Sequence, residues 1–140
     1  MKLKVIVFIS LIIGVITASC QSEAELDFKR YYTGGALIYK EKCQNCHGAN
    51  GEGLSNLIPP LTDTAYLKKN KPQLGCFVKY GIKETILTVN GRAYEGAMPA
   101  NIDMPSIDIA KVLTFMGNSF GNKMGTITGE DVDAGLSACK

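Results

Sequence analysis

Apolar positions along the chain change their spacing from one stretch to the next. Val5 to Ile16 is an apolar run broken only by Ser10 and Gly14. Gln21 to Arg30 is polar and acid-rich and reads as a short tether. From Tyr32 the pattern turns helical, with Leu37, Ile38 and Tyr39 apolar and Lys40, Glu41 and Lys42 on the polar side, delivering Cys43 at its end. Gly34-Gly35 near the start of this helix either admits a second helix closely or only loosens the first turn. Gly48 to Gly53, with three glycines and an asparagine, does not continue a helix comfortably. Thr62 or Asp63 caps a short helix through Lys69, and Pro72 opens another, with Leu74, Phe77 and Val78 as its apolar face and Gly81 at its end. Thr85 to Val89 is β-branched and Asn90-Gly91 follows, which predicts one small hairpin or bend rather than a sheet. Ser106 begins the clearest helix: Ile107, Ile109, Ala110, Val112, Leu113, Phe115 and Met116 are apolar and Asp108 lies in the first turn. It stops around Asn118 to Gly121. The tail from Thr126 to Lys140 is small and polar, with a helical turn expected at Asp131 to Ala138.

The first run has the form of a targeting segment, with Lys2 and Lys4 before it and Thr17-Ala18-Ser19 and Cys20 after it. It resembles a bacterial lipoprotein signal in which Cys20 becomes the lipidated first residue. Cleavage nearby without lipid and an uncleaved anchor are the alternatives, although the run is short for a span of about 20 residues. Each alternative places the remainder outside the cytoplasm, where disulfides form. The expected layout is a signal peptide at 1–19, a tether at 20–30, one domain at 31–125 and a C-terminal tail at 126–140 pinned to that domain. There is no internal repeat and no second domain.

Composition alters this picture in two ways. The chain has 140 residues and is 46% hydrophobic, but much of that lies in the leader; tryptophan is absent and there are 15 glycines, so the native core is small. Lys2 and Lys4 account for the formal charge of +2, so the chain beyond the leader is balanced. That argues against a nucleic-acid binder, which carries a basic face. Lys68, Lys69, Lys71, Lys79 and Lys83 read as a solvated surface, with guidance of an acidic partner as the sharper alternative.

The candidate chemistry sits at Cys43-Gln44-Asn45-Cys46-His47. C-x-x-C-H is the pattern of covalent haem attachment. Two thiols three positions apart each reach one vinyl group of the same porphyrin, and the next residue offers its imidazole to the iron. His47 is the only histidine in the chain. A bare C-x-x-C also fits a thiol redox pair or half a zinc site. A thioredoxin-like module would need a strand before Cys43, and none is apparent; a four-ligand zinc site would need Cys76 and Cys139, which lie singly and far off. A buried porphyrin would also enlarge the small core.

An electron carrier fills both axial positions of its iron, because fixed coordination keeps reorganisation small. Methionine suits the second position, since its soft thioether raises the potential. Met98, Met104, Met116 and Met124 are the candidates beyond the leader. Met116 lies inside the last helix as a core residue, and Met124 follows glycines in the tail. Met98 lies in the irregular loop Tyr94 to Ala100, where Gly96 lets the backbone approach and Pro99 stiffens it. A carbonyl of Ile58-Pro59-Pro60-Leu61 is placed to accept from the free ring nitrogen of His47, unless the segment is only a rigid turn.

Three motifs in order, Cys43 to His47, Pro59-Pro60-Leu61 and Gly96 to Pro99, resemble the single-haem class I cytochromes c. The helix Ile107 to Leu113 is similar to that family's closing helix, which crosses the helix before the haem site. The match covers about residues 30–121. Val89 to Tyr94 also resembles cytochrome domains attached to periplasmic oxidoreductases, including some copper nitrite reductases. The resemblance implies an all-α fold around one covalent haem c, with Cys43 and Cys46 attached to it and His47 and Met98 axial; Met104 is the runner-up ligand. Carried over by position, Pro60 is the proline that supports His47, with Pro59 open as the source of the carbonyl.

Cys76 and Cys139 belong to no part of the haem motif. In an oxidising compartment they can pair and tie the tail to the Pro72–Gly81 helix; two unpaired thiols are the alternative. The implied function is electron transfer by a monomeric, exported chain on the periplasmic side, lipid-anchored to a membrane, exchanging single electrons with a redox partner protein. A haem-based gas sensor and a cytochrome subunit of a larger oxidoreductase are the rival functions. No second histidine and no carboxylate pair at a recognisable spacing offers independent catalysis.

Overall fold

The computed structural model describes Val5, Ile9, residues 22–83 and residues 86–139. Apart from Val5 and Ile9, the expected signal peptide lies outside the described residues, as do Cys20 and its lipidation. The helix α1 (Glu23–Ile38) starts at Ser22, whose hydroxyl accepts from the Glu25 amide at 3.3 Å. Glu23 and Glu25 occupy the first turn, where negative charge meets the positive end of the helix dipole. A Lys29–Glu25 ion pair at 2.8 Å adds i,i+4 support. Residues 23–30, expected as a tether, are therefore the opening turns of α1. They show no apolar stripe because they are held by cap and charges rather than by burial, and Phe28 begins the packing by stacking on Tyr32 at 5.7 Å.

α1 runs without a break into a π-helical stretch, Tyr39–Cys43, and then into α2 (Gln44–His47). Asp63, rather than Thr62, caps α3 (Thr64–Lys69) by accepting from the Tyr66 amide at 3.0 Å. α4 (Lys71–Tyr80) carries Pro72 in its first turn, where the missing amide costs nothing, and ends at Gly81. β1 (Leu87–Val89) and β2 (Arg92–Tyr94) pair antiparallel, Leu87 opposite Tyr94 and Val89 opposite Arg92, around the Asn90-Gly91 turn. This single hairpin is the only sheet among the described residues, so the fold is all-α. α5 (Ser106–Met116) follows, and α6 (Gly129–Ser137) closes the chain.

α6 lies close to the helical turn expected at Asp131 to Ala138, beginning two residues earlier and ending one earlier. Thr128 caps it in a full capping box, its hydroxyl accepting from the Asp131 amide and its own amide donating to Asp131 Oδ2. Small residues let α6 lie flat on α4: a Cβ on Gly135 would overlap the Pro72 carbonyl oxygen. Cys76 of α4 and Cys139 beyond α6 are joined by a disulfide, with Cα atoms 5.8 Å apart and a sequence separation of 63. Closing such a loop contributes about 4 kcal/mol in the chain-entropy account.

The core gathers around α5, where Ile109, Ala110, Val112 and Leu113 are almost wholly buried. α1 crosses it at Gly35, where a Cβ would overlap the Lys111 carbonyl oxygen; the glycine pair thus admits a helix. Tyr32 of α1 and Tyr39 just beyond it each pack against Phe115 with ring centroids 5.2 Å apart, and Tyr32 shares a hydrogen bond of 3.0 Å with Ser119. Beyond α5, the buried Thr114 hydroxyl donates to the Ile127 carbonyl and accepts from the Ile127 amide, fixing the tail. Asn122, also buried, donates to the carbonyls of Leu61 and Met116 and accepts from the Thr64 hydroxyl at 2.6 Å. One side chain therefore ties the segment after the proline pair to the end of α5.

Candidate functional site

The helical path through Cys43 is widened. One π-helical turn precedes it, and the Gln44 amide reaches back to the Tyr39 carbonyl. Such turns recur at functional sites, and the extra residue re-aims the side chains that follow. Tyr39, Cys43, Cys46 and His47 then all line one cavity. The helix stops at Gly48, whose φ of 82° suits glycine. The loop folds back at once: the Gly53 amide donates to the His47 carbonyl at 2.9 Å, and the buried Tyr39 hydroxyl donates to the Gly48 carbonyl at 2.7 Å.

His47 Nδ1–H donates to the Pro59 carbonyl at 3.3 Å. Pro60 is the proline expected to support the histidine; the carbonyl belongs instead to Pro59. The reason is the path of the loop. Gly53 lies so close to Ile58 and Pro59 that a Cβ would overlap their carbonyls, and this brings Pro59 over the imidazole. Pro60 remains in the cavity wall. With Nδ1 committed, Nε2 is the ring nitrogen left for a metal. Burial holds the imidazole below its usual pKa, while the bond to Pro59 acts in the opposite direction. The ring is thus neutral at neutral pH, which is the ligating form. Burial, with a smaller contribution from Cys46, pushes the Cys43 thiol up to about 11.

Met98 reaches the same cavity from a distant part of the sequence. Its backbone is held twice by Ile82, whose amide donates to the Met98 carbonyl and whose carbonyl accepts from the Met98 amide, both at 2.9 Å. Two glycines make the crossing possible. A Cβ on Gly96 would overlap the Leu57 carbonyl oxygen, and one on Gly81 would overlap that of Met98. Met104 packs against the core but does not line the cavity; its carbonyl accepts from Lys79 Nζ at 2.9 Å. Met116 lines the wall from inside α5, and Met124 packs against the core beside Gly117.

The cavity holds about 970 Å³ of empty space, its open mouth included, behind a wall that is almost wholly apolar. Leu74, Val78, Val112 and Leu113 supply the floor, and the hairpin adds Leu87 and Val89. Cys46 and Leu57 line the cavity and are both exposed, so its wall reaches the surface there. Two thiols three positions apart, an imidazole with Nε2 available and a thioether on a separate segment surround this space. The donor set and the apolar wall fit a covalently attached porphyrin. They do not suit zinc, because Cys76 and Cys139 are joined to each other.

Sequence reasoning missed Tyr39 as a wall residue, although its place one turn before Cys43 carries the signal. It also missed Leu57 and Asn122, whose contacts are long-range and leave no local mark.

Residues 32–116 match the family described as "Cytochrome C oxidase, cbb3-type, subunit III". The chain belongs to this family and is a c-type cytochrome. Its cofactor is covalently bound haem c, and its activity is electron transfer. Over 92 residues the cytochrome is 29% identical to a cytochrome c-552 of Thermus thermophilus, an alignment covering 63% of this chain and 69% of that protein. A second cytochrome c-552 of the same species has the same identity and is covered over 61% of its length. Over 101 residues the cytochrome is 31% identical to the "Alcohol dehydrogenase (quinone), cytochrome c subunit" of Gluconacetobacter polyoxogenes, covering 70% of this chain but only 21% of that subunit. No helix among the described residues is long and apolar enough to cross a membrane.

Proposed function

We propose that this cytochrome carries one haem c joined through Cys43 and Cys46, with His47 and Met98 as its axial ligands, and that it exchanges single electrons with a redox partner protein. The observation that carries the proposal is that both thiols, the His47 imidazole and the Met98 segment line one apolar cavity. The bound haem supplies one-electron Fe(II)/Fe(III) chemistry. The chain's residues do the rest. Pro59 orients His47 and leaves Nε2 available. Ile82 fixes the backbone of Met98, so a filled sixth position follows more naturally than the open one that a gas sensor needs. The apolar wall excludes water and favours the less charged iron state.

The partner meets the chain at the mouth of the cavity, beside Cys46, Leu57 and the 48–56 loop, with Leu54 and Leu57 as exposed apolar contacts. Such encounters are small and weak. Residues 1–19 act as an export signal and Cys20, the first residue after it, carries a lipid, which holds the domain at a membrane surface on the periplasmic side; the domain works as a monomer. A second role, as the cytochrome subunit of a larger oxidoreductase, is favoured by the likeness to the alcohol dehydrogenase subunit. The chain is then the electron carrier and the catalysis belongs to another polypeptide.

The test is Met98→Ala in the haem-loaded chain. Haem should stay attached, the weak long-wavelength band of sulfur-ligated ferric haem should vanish, the reduced form should bind carbon monoxide rapidly, and the potential should fall. An unchanged spectrum would remove Met98 from the iron and point to Met104.

A further inference from the structure

The segment that presents Met98 is not self-supporting; it hangs on the C-terminal end of α4. The Asn101 amide donates to the carbonyls of Val78 and Lys79, both at 3.2 Å, and its side-chain amide donates again to Val78 at 3.2 Å. Lys79 Nζ reaches the Met104 carbonyl at 2.9 Å, and the Met104 amide donates to the Asn101 carbonyl at 3.0 Å. Ile82, just past α4, exchanges two backbone hydrogen bonds with Met98. These carbonyls of Val78 and Lys79 belong to the last turn of α4, which has no intrahelical donors for them, so the Met98 segment is what satisfies them.

α4 is in turn held from its other side by α6. A Cβ on Gly75 would lie 3.5 Å from Val132, the Gly135 backbone sits against the Pro72 carbonyl, and the disulfide joins Cys76, in the middle of α4, to Cys139. Leu74, Phe77 and Val78 of the same helix face the cavity. The covalent bridge and the Met98 segment therefore grip the same ten-residue helix at different places.

With Met98 taken as the sixth ligand, as proposed above, we infer that the Cys76–Cys139 bridge and Asn101 are positioning elements for that ligand: they hold α4 as a strut, and the strut sets how readily Met98 leaves the iron. Opening of the Met98 segment requires the end of α4 to release it, and a helix pinned through α6 releases it less often. Local openings of this kind are governed by the contacts that must break rather than by global stability.

The experiment uses the full haem-loaded chain. The rate at which imidazole displaces the native sixth ligand of the ferric form is measured for the wild type, Cys76→Ser/Cys139→Ser and Asn101→Ala, well below their unfolding temperatures. Exchange should be about fivefold faster or more in each variant, with helical circular dichroism and resting absorption unchanged. Combining the two changes should give less than the product of the separate effects, because both act through α4. Should the serine variant accumulate poorly, the bridge of the wild type is opened with a phosphine in the ferrous state, and carbon monoxide binding gives the same comparison. A lowered unfolding temperature with an unchanged exchange rate would overturn the inference and leave the bridge a purely global brace. Absorption unaffected by Met98→Ala would overturn the ligand assignment itself, and this inference with it.

Discussion

His47 and Pro59 are joined by a hydrogen bond from the imidazole Nδ1–H to a proline carbonyl, 3.3 Å long and spanning a sequence separation of 12. The acceptor is backbone, so the side chain of residue 59 matters to this bond only through the rigidity it gives, besides its share of the cavity wall. Pro59→Ala keeps the carbonyl. The haem spectrum should be retained, while stability falls by about 0.4–1 kcal/mol as the unfolded chain gains freedom. Denaturant unfolding of the holo-protein followed by haem absorption measures both. A changed axial spectrum in Pro59→Ala would mean that the ring, rather than the carbonyl, fixes His47.

Gly35 is where α1 and α5 touch backbone to backbone. Gly35→Ala places a methyl group against the Lys111 carbonyl and the Phe115 Cβ. The helices must separate, at a cost of about 1–3 kcal/mol. Gly34→Ala is the control, since its Cβ meets only the flexible Lys111 side chain at 3.1 Å. Thermal unfolding should rank Gly35→Ala well below Gly34→Ala. Equal effects would mean that the crossing is loose.

How much of this was legible in the sequence depended on distance along the chain. Cys43, Cys46 and His47 could be read together because haem attachment needs only local spacing. Met98 stood out because Gly96 and Pro99 mark a backbone that must pass close to something, though not that this something is Leu57. The opening of α1 was hidden because Ser22, Glu25 and Lys29 hold a helix without burying anything, so no stripe appears. The choice between Pro59 and Pro60 turned on the course of the Gly48–Gly53 loop, which no pattern encodes. α6 was expected within two residues of its observed bounds; its start was set late because a capping box at Thr128 and Asp131 is only a pair of polar residues until its helix is seen.

Asn122 is the least visible of the fixed points. Its side-chain amide satisfies two carbonyls, of Leu61 and Met116, at 2.7 and 2.9 Å, and its oxygen accepts from Thr64. Asn122→Ala leaves one buried and two part-buried groups without this partner, which should cost on the order of 2–4 kcal/mol. Asn122→Asp keeps the acceptor for Thr64 but loses both donations and buries a charge, so it should be no better. Denaturant midpoints of the holo-protein check the ranking. A loss below about 0.5 kcal/mol in Asn122→Ala would mean that water replaces the side chain.

The capping box of α6 carries a pH dependence. The Thr128 backbone N–H donates to the Asp131 carboxylate at 2.9 Å and holds that carboxyl below its usual pKa; the Thr128 hydroxyl and Lys71 act in the same direction. A depressed folded-state value means that the contribution is fully present above the unfolded value of about 3.9 and is lost as pH falls through the folded one. Acidification below about pH 4 should therefore loosen the first turn of α6 before the haem site responds. Amide exchange at Val132 and Gly135, compared at about pH 6 and about pH 3, on either side of that carboxylate range, reads this directly, because the disulfide keeps the far end of α6 attached. Thr128→Ala should cost about 1 kcal/mol at neutral pH through the lost hydroxyl but keep most of the acid response, since the backbone N–H that holds the Asp131 carboxyl low remains; Asp131→Asn should flatten it. Exchange at Val132 that is the same at both pH values in the wild type, after correction for intrinsic rates, would show that the cap is not what holds the start of α6.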